Sequence, residues 1–430
     1  MKRCNLVKFG LLAAAVLPLP LAACSSSGSS GSGTSSAAAS ATSAAAAPGT
    51  SSAAASAPSS AGASGTPYKV LANNRGITDE SDYYAAVADA INARGGIHGR
   101  PLDIVGCDDN NDPNQTTTCF RNIVNDPNFL GAINFAGACG SQYLQLLNSV
   151  NAASIGDQLY CPESFQSKAV FAFDAGSFSA AAGTVIAVKD LSQPDVILTT
   201  TDTDAGHAFP SFVGPYVKAA GGAISTTVYI PTTAADFSPF AAAIATAKGF
   251  LFDGNTLPDG IRLGKALEAQ GFDRPVVYNG ISWDASSITT NLGSPSNAYI
   301  STAFNLSSPG YQQFNADLTK YKPGSTERSG VLINLWLSAN VLAAEANKLP
   351  ANGVTASAIR AELAKSTALN TYGLTIPLNF VKGSSIAGGL VTRAPNACSA
   401  LYKYNSGKLT LVGSFADVIS DKGHTDTCSS

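Results

Sequence analysis

Few side chains in this sequence are arranged to do covalent chemistry. Its 430 residues hold three histidines, His98, His207 and His424. That is too few for a His-rich metal site and leaves room for a single His base. Gly280-Ile281-Ser282-Trp283-Asp284 begins like a nucleophile elbow but lacks its closing glycine. Gly137-Ala138-Cys139-Gly140 offers a thiol with no histidine beside it as base. Asp108, Asn110 and Asp112 imitate the opening of a calcium loop. That loop requires Gly at its sixth position and Glu at its twelfth, where this chain has Pro113 and Cys119. These patterns predict no catalytic residue, no metal site and no cofactor.

The cysteines carry a different chemistry. Of eight, Cys4 lies in a leader-like segment and Cys24 at its end. The other six are Cys107, Cys119, Cys139, Cys161, Cys398 and Cys428. An even number in an exported chain favours disulfides, and no C-x-x-C pair suggests metal. Many connectivities are open. Sequential pairing is the expectation: Cys107–Cys119 from a strand end to the next helix, Cys139–Cys161 between neighbouring loops, and Cys398–Cys428 across the C-terminal segment.

Lys2, Arg3 and Lys8 precede an apolar run from Phe9 to Ala23. The run is shorter than the roughly 20 residues a spanning helix needs and reads as a secretory signal over 1–23. Leu21-Ala22-Ala23-Cys24 looks like a bacterial lipobox, with cleavage before Cys24 and lipidation of its thiol. A two-chain lipid anchors stably where a single chain is marginal. Residues 25–66 follow with 16 Ser, 14 Ala, 6 Gly, 4 Thr and 2 Pro and no charge. Such a composition cannot bury enough apolar surface to offset chain ordering, so 24–66 is expected to be a tether with an r.m.s. reach of roughly 35 Å. It also explains why only 13% of the chain is charged against about 25% in an average soluble protein. The net charge of −3 argues against a nucleic-acid partner, which calls for a basic face.

From Tyr68 onward, short apolar runs alternate with helical periodicity. Strands are expected at 68–72, 102–105 and 130–135, with helices at 82–92, 114–124 and 142–150. A second series follows, with strands at 195–198, 224–230, 249–252 and 275–278 and a helix at 258–270. Strands alternating with helices predict an α/β fold with parallel sheets, and the length is enough for two. The apolar run in 330–349 is interrupted by Asn334, Asn340, Glu345 and Asn347 and reads as a core helix. Alternation around Asn405-Ser406-Gly407 predicts a hairpin over 398–418.

Ala88-Asp89-Ala90-Ile91-Asn92-Ala93-Arg94-Gly95-Gly96-Ile97-His98-Gly99-Arg100-Pro101-Leu102, followed by Asp108-Asp109-Asn110-Asn111-Asp112-Pro113, resembles the branched-chain amino-acid binding proteins of ABC transporters. These have the type I periplasmic binding fold. Gly95 and Gly96 let the chain reverse out of a helix, and Asp112-Pro113 opens the next one. The resemblance implies two Rossmann-like lobes joined by three crossing segments. It places 67–177 with 305–377 in lobe 1 and 178–304 with 378–430 in lobe 2. A solute would be trapped between them at the carboxyl ends of the strands.

The resemblance also implies where a ligand would be touched. In lobe 1, Cys139-Gly140-Ser141 would hold a ligand carboxylate by N–H groups and hydroxyl, or Ser141 would cap the helix. Asp157 and Gln158 follow the fourth strand. Asp157 either points to solvent or implies a ligand that is not a simple carboxylate. In lobe 2, Asp204 would cap a helix or reach the ligand, and Asn255 lies in a loop facing the cleft. The amino-acid binders carry a Glu near Ile281 and Ser282, which this chain lacks. Trp283 would stack on a flat ligand or sit in the core. The expected function is an extracytoplasmic solute-binding protein for a small polar organic solute. It would be a monomer anchored by lipid to the outer face of the cell membrane, delivering to an ABC permease. The alternatives are a ligand-sensing envelope lipoprotein of the same fold and a hydrolase.

Overall fold

The computed structural model describes residues 62–73, 80–421 and Cys428. The leader, Cys24 and nearly all of the tether lie outside the described residues. Contact with the body begins at Ala63, whose N–H donates to Asn92 O at 3.1 Å, and continues with Ser64 N–H to Gly99 O at 2.8 Å. Asn92 O also accepts from Gly95 N–H at 3.1 Å, so the turn around Gly95 and Gly96 receives the chain ahead of Pro67.

The first half alternates strand and helix: β1 (Tyr68–Asn73), α1 (Glu80–Ala93), β2 (Leu102–Cys107), α2 (Pro113–Ile123), β3 (Phe129–Ile133), α3 (Tyr143–Ser149), β4 (Ala153–Ile155) and β5 (Val170–Phe171). The punctuation is local. Gly95 and Gly96 take φ of 101° and 61°, and a Cβ on Gly96 would lie 2.1 Å from Arg100 O. Asp112 caps α2 by accepting from the Asn114 and Gln115 N–H groups, with Pro113 in the first turn. The five strands form one parallel sheet in the order β2-β1-β3-β4-β5.

The chain then crosses to a second sheet through α4 (Ser179–Asp190), β6 (Asp195–Thr201), α5 (Asp204–Ala219), β7 (Ala223–Ile230), α6 (Ser238–Thr246), β8 (Phe250–Asp253), α7 (Leu257–Ala269), β9 (Val276–Asn279), α8 (Ala285–Leu292) and β10 (Ala298–Thr302). It returns to pack α9 (Pro309–Tyr321), α10 (Gly330–Lys348) and α11 (Ala356–Lys365) against the first sheet's helices and strands. A third passage leads to a small ribbon, β11 (Ser384–Ile386) with β12 (Val391–Ala394), and then to the hairpin β13 (Cys398–Asn405) and β14 (Lys408–Asp417). The expected hairpin is present. It adds two antiparallel strands to an otherwise parallel sheet, ordered β14-β13-β10-β9-β8-β6-β7.

Strand alternation sorts the cores. Val70 and Ala72 face α1 and α10, whereas Leu71 faces α2 and α3. In the second sheet, Val196 and Leu198 face α4 and α5, and Ile197 faces α6, α7 and α8. The inner cluster is continuous between the two sheets, with Phe178 touching Phe165 at 5.5 Å and Phe212 at 4.3 Å between ring centroids. All three disulfides pair sequentially, as expected. No helix among the described residues is long and apolar enough to cross a membrane.

Candidate functional site

Helix α10 brings the carboxyl ends of the two sheets together. Its first amide, on Gly330, donates to Gly280 O in the turn after β9 at 2.8 Å, and Val331 N–H donates to Ile281 O at 2.9 Å. One turn further, Asn334 Nδ2 donates to Gly156 O in the turn after β4 at 2.6 Å and to Asn134 Oδ1 after β3 at 2.7 Å. Four residues of helix rise about 6 Å. The strand-end turns of both sheets therefore converge on little more than one turn of α10.

On the first sheet, β3 leads into Asn134 and then the turn ending at Ser141. The disulfide Cys139–Cys161 ties that turn to the segment after β4, with 5.2 Å between Cα atoms. This pairing removes Cys139 from consideration as a nucleophile. Three of the turn's amides are bonded within the chain. Gly140 N–H donates to Glu163 Oε1 at 2.7 Å, Ser141 N–H to Ala138 O at 3.1 Å, and Gln142 N–H to Thr117 Oγ1 at 3.0 Å. Ser141 does not cap α3, because Gln142 holds that place. Its hydroxyl is buried and without a partner.

Asp157 does not point to solvent. It is 1% exposed and turned inward beside β4 and α3. There Oδ2 accepts from the Ser154 hydroxyl at 2.8 Å and the Tyr143 hydroxyl at 3.2 Å, and Oδ1 accepts from Leu159 N–H at 3.1 Å. Burial pushes its carboxyl up to about 6, against the pull of those three donors. Gln158 remains half-buried at the strand end, with Nε2 3.3 Å from Asn134 Oδ1.

On the second sheet, Thr203 caps α5 by accepting from Gly206 N–H at 3.2 Å. Asp204 is thus not the cap; it stands exposed in the first turn, where a carboxylate favours the helix dipole. Asn255 is 8% exposed. Its Nδ2 donates to Asp253 Oδ1 at 2.7 Å, while its Oδ1 has no partner. Asp253 also accepts from Thr199 Oγ1 at 3.1 Å, and burial raises its carboxyl. Trp283 belongs to the core: it is 2% exposed and stacks on Tyr278 with 4.1 Å between ring centroids. Gly260 leaves room for the indole, since a Cβ there would lie 2.8 Å from it. Asp284 caps α8 and accepts from Arg328 N–H.

Two surface hollows, of about 290 and 410 Å³, run along the free edge strand β2. None of the residues expected at the ligand lines them. The residues that sequence reading missed are asparagines and one glutamate. Asn73 closes the end of β1, exchanging hydrogen bonds with the Ala136 backbone and reaching Asp109. Asn134 and Asn334 join the β3 and β4 ends to α10, and Glu163 fills the amide of Gly140. The one available signal was polar residues at the ends of apolar strands or inside an apolar helix.

The sequence profile of the family described as periplasmic binding protein matches residues 82–408. A comparison with curated protein sequences gives no match. Among solved structures, a substrate-binding periplasmic protein from Ralstonia solanacearum is similar at TM-score 0.66 and 16% identity, covering 81% of this chain and 100% of its own. A leucine-binding protein from Thermotoga maritima superposes at TM-score 0.59 and 14% identity, covering 81% and 98%. A fatty acid ABC transporter substrate-binding protein from Thermomonospora curvata does so at 0.58 and 18%, covering 82% and 92%. At these identities the structures speak for the fold.

Proposed function

The chain belongs to the periplasmic binding protein family, and from that premise we propose that it captures a small polar organic solute between two lobes and delivers it to an ABC permease. The supporting observation is the convergence of both sheets' strand-end turns on the first turns of α10. Open α/β sheets bind ligands at the carboxyl ends of their strands, and here two such ends meet at one place. Hinge closure about connecting segments is the usual way such a pair buries its ligand.

In this reading, lobe 1 is 67–177 with 305–377 and lobe 2 is 178–304 with 378–430. Ser141 and Gln158 contact the solute from lobe 1, and Asp204 and Asn255 from lobe 2. Cys139, Gly140, Asp157 and Trp283 hold those residues from behind. The protein acts as a monomer without enzymatic activity. Its leader ends at Cys24, which carries lipid and holds it to the outer face of the membrane through the tether. Two of the solved relatives are a leucine-binding protein and a fatty acid transporter's binding protein, which suits a fold whose solute is set by the turns.

Solution scattering with a solute library tests this reading. At least one small solute is expected to reduce the radius of gyration and raise the melting temperature together. A library of organic solutes that produces neither change overturns it.

A further inference from the structure

We propose that the solute is an amine-bearing organic cation and not a carboxylate; this rests on the capture reading above. At the turns that carry Ser141 and Asn255, the amides of Gly140, Ser141, Gln142, Gly254 and Asn255 are already bonded within the protein. Glu163 already supplies a carboxylate to Gly140, and the next two amides are bonded within the protein. On the second sheet, Gly254 N–H donates to Thr199 O and Asn255 N–H to Asp253 Oδ1. Anion recognition at such turns depends on free N–H groups, and at these positions none is free.

The charges agree. Asp108, Glu163, Asp204 and Asp236 are exposed after the carboxyl ends of their strands. Two basic residues lie on described loops near these turns: Lys168 stands exposed just before β5, and Arg328, beside Asp284, turns its guanidinium to Asn315 Oδ1 and the Ser325 and Glu327 carbonyls. Arg262, in the second turn of α7, pairs with Asp259 at 3.2 Å and donates to Ala234 O. Arg75 lies outside the described residues. Basic residues cluster instead at the opposite ends of the strands, as with Arg94, Arg100, Lys248 and Arg274. A cleft lined by one sign of charge concentrates ligands of the other sign.

An independent sign comes from groups with no partner. Asn255 Oδ1 is a pure acceptor in a residue 92% buried, and the Ser141 hydroxyl belongs to a residue 93% buried; Asn134 Nδ2, at the end of β3, is a third buried group without a partner, and it is a donor. A buried acceptor without a donor carries the full desolvation penalty. An ammonium brings several donors and no acceptor, which complements Asn255 Oδ1, the hydroxyl oxygen of Ser141 and the charge, while an acceptor elsewhere on the organic solute meets Asn134 Nδ2.

The test is titration calorimetry of the full chain with putrescine, choline, leucine, glutarate and glucose, with scattering on each mixture. Putrescine or choline is expected to bind and compact the protein. Asp204→Asn and Glu163→Gln are each expected to weaken that binding about tenfold while leaving the melting temperature of the free protein within a few degrees. The glutamine keeps an acceptor for Gly140. Compaction by leucine, glutarate or glucose with no response to either cation overturns the cation proposal and leaves solute capture standing. Cation binding that is unchanged in both variants overturns it as well. A panel that is silent throughout counts against the cation, and only the wider library decides on capture itself.

Discussion

Gly330 and Asn334 stand one turn apart on α10 and touch different sheets. The first donates to Gly280 after β9 and the second to Gly156 after β4. The helix is therefore a shared strut between the two sets of strand ends.

The contact at Gly330 leaves no room for a side chain, because a Cβ there would lie 2.6 Å from Gly280 O and 3.0 Å from Ile281 Cα. Overpacking of this kind costs about 1–3 kcal/mol. Gly330→Ala is expected to lower the melting temperature and enlarge the radius of gyration of the free protein. Unchanged values in both would show that the turn after β9 yields without cost.

Asp157 gives a pH prediction with a definite sign. Its ordinary value is 3.8 and burial raises it to about 6 in the fold. Between those two values the folded chain keeps a proton that the unfolded chain has lost. The stabilisation is fully present below pH 3.8 and is lost as the pH rises through 6. Asp157→Asn mimics the protonated form. It should match the native protein below pH 4 and exceed it at pH 8 by up to about 3 kcal/mol. Chemical denaturation at both values measures this, and a constant difference would refute it.

Trp283 is predicted to matter for stability and not for solute. Trp283→Ala removes a large buried ring from its stack on Tyr278 and should cost about 3–5 kcal/mol. Trp283→Phe should recover much of that loss and bind solute like the native protein. Loss of binding in a well-folded Trp283→Phe would place the indole at the ligand after all.

The Cys139–Cys161 bridge closes a separation of 22 residues. Replacing both cysteines by serine should cost about 3 kcal/mol by the chain-entropy relation. Amide exchange is expected to quicken at Gly140, whose bond to Glu163 depends on the same closure. Protection that persists there would mean the carboxylate alone holds the turn.

Much of the fold was legible because its signals are local. The Gly95-Gly96 reversal, the Asp112-Pro113 helix start and the Asn405-Ser406-Gly407 hairpin each depend on neighbours in sequence. The site was not legible in the same way. Asn334 looked like an interruption in an apolar helix, and its partners Asn134 and Gly156 lie 200 and 178 residues away. Asp157 looked like a turn carboxylate; only the arrival of Tyr143 and Ser154 around it sends it inward. Asp204 looked like a cap, but the residue before it has the extended backbone that a cap needs.

The way the chain enters the body has a mechanical consequence. Ala63, Ser64 and Thr66 are held at the turn between α1 and β2, and β1 then runs between β2 and β3 in parallel register with both. Tension applied through the N-terminal segment pulls along β1, so its ladder bonds on both sides share the load in shear, with no edge to peel. A molecule pulled by that end would first give up the contacts of residues 63–66. The strand ends on the far side of the sheet would keep their geometry while it did so.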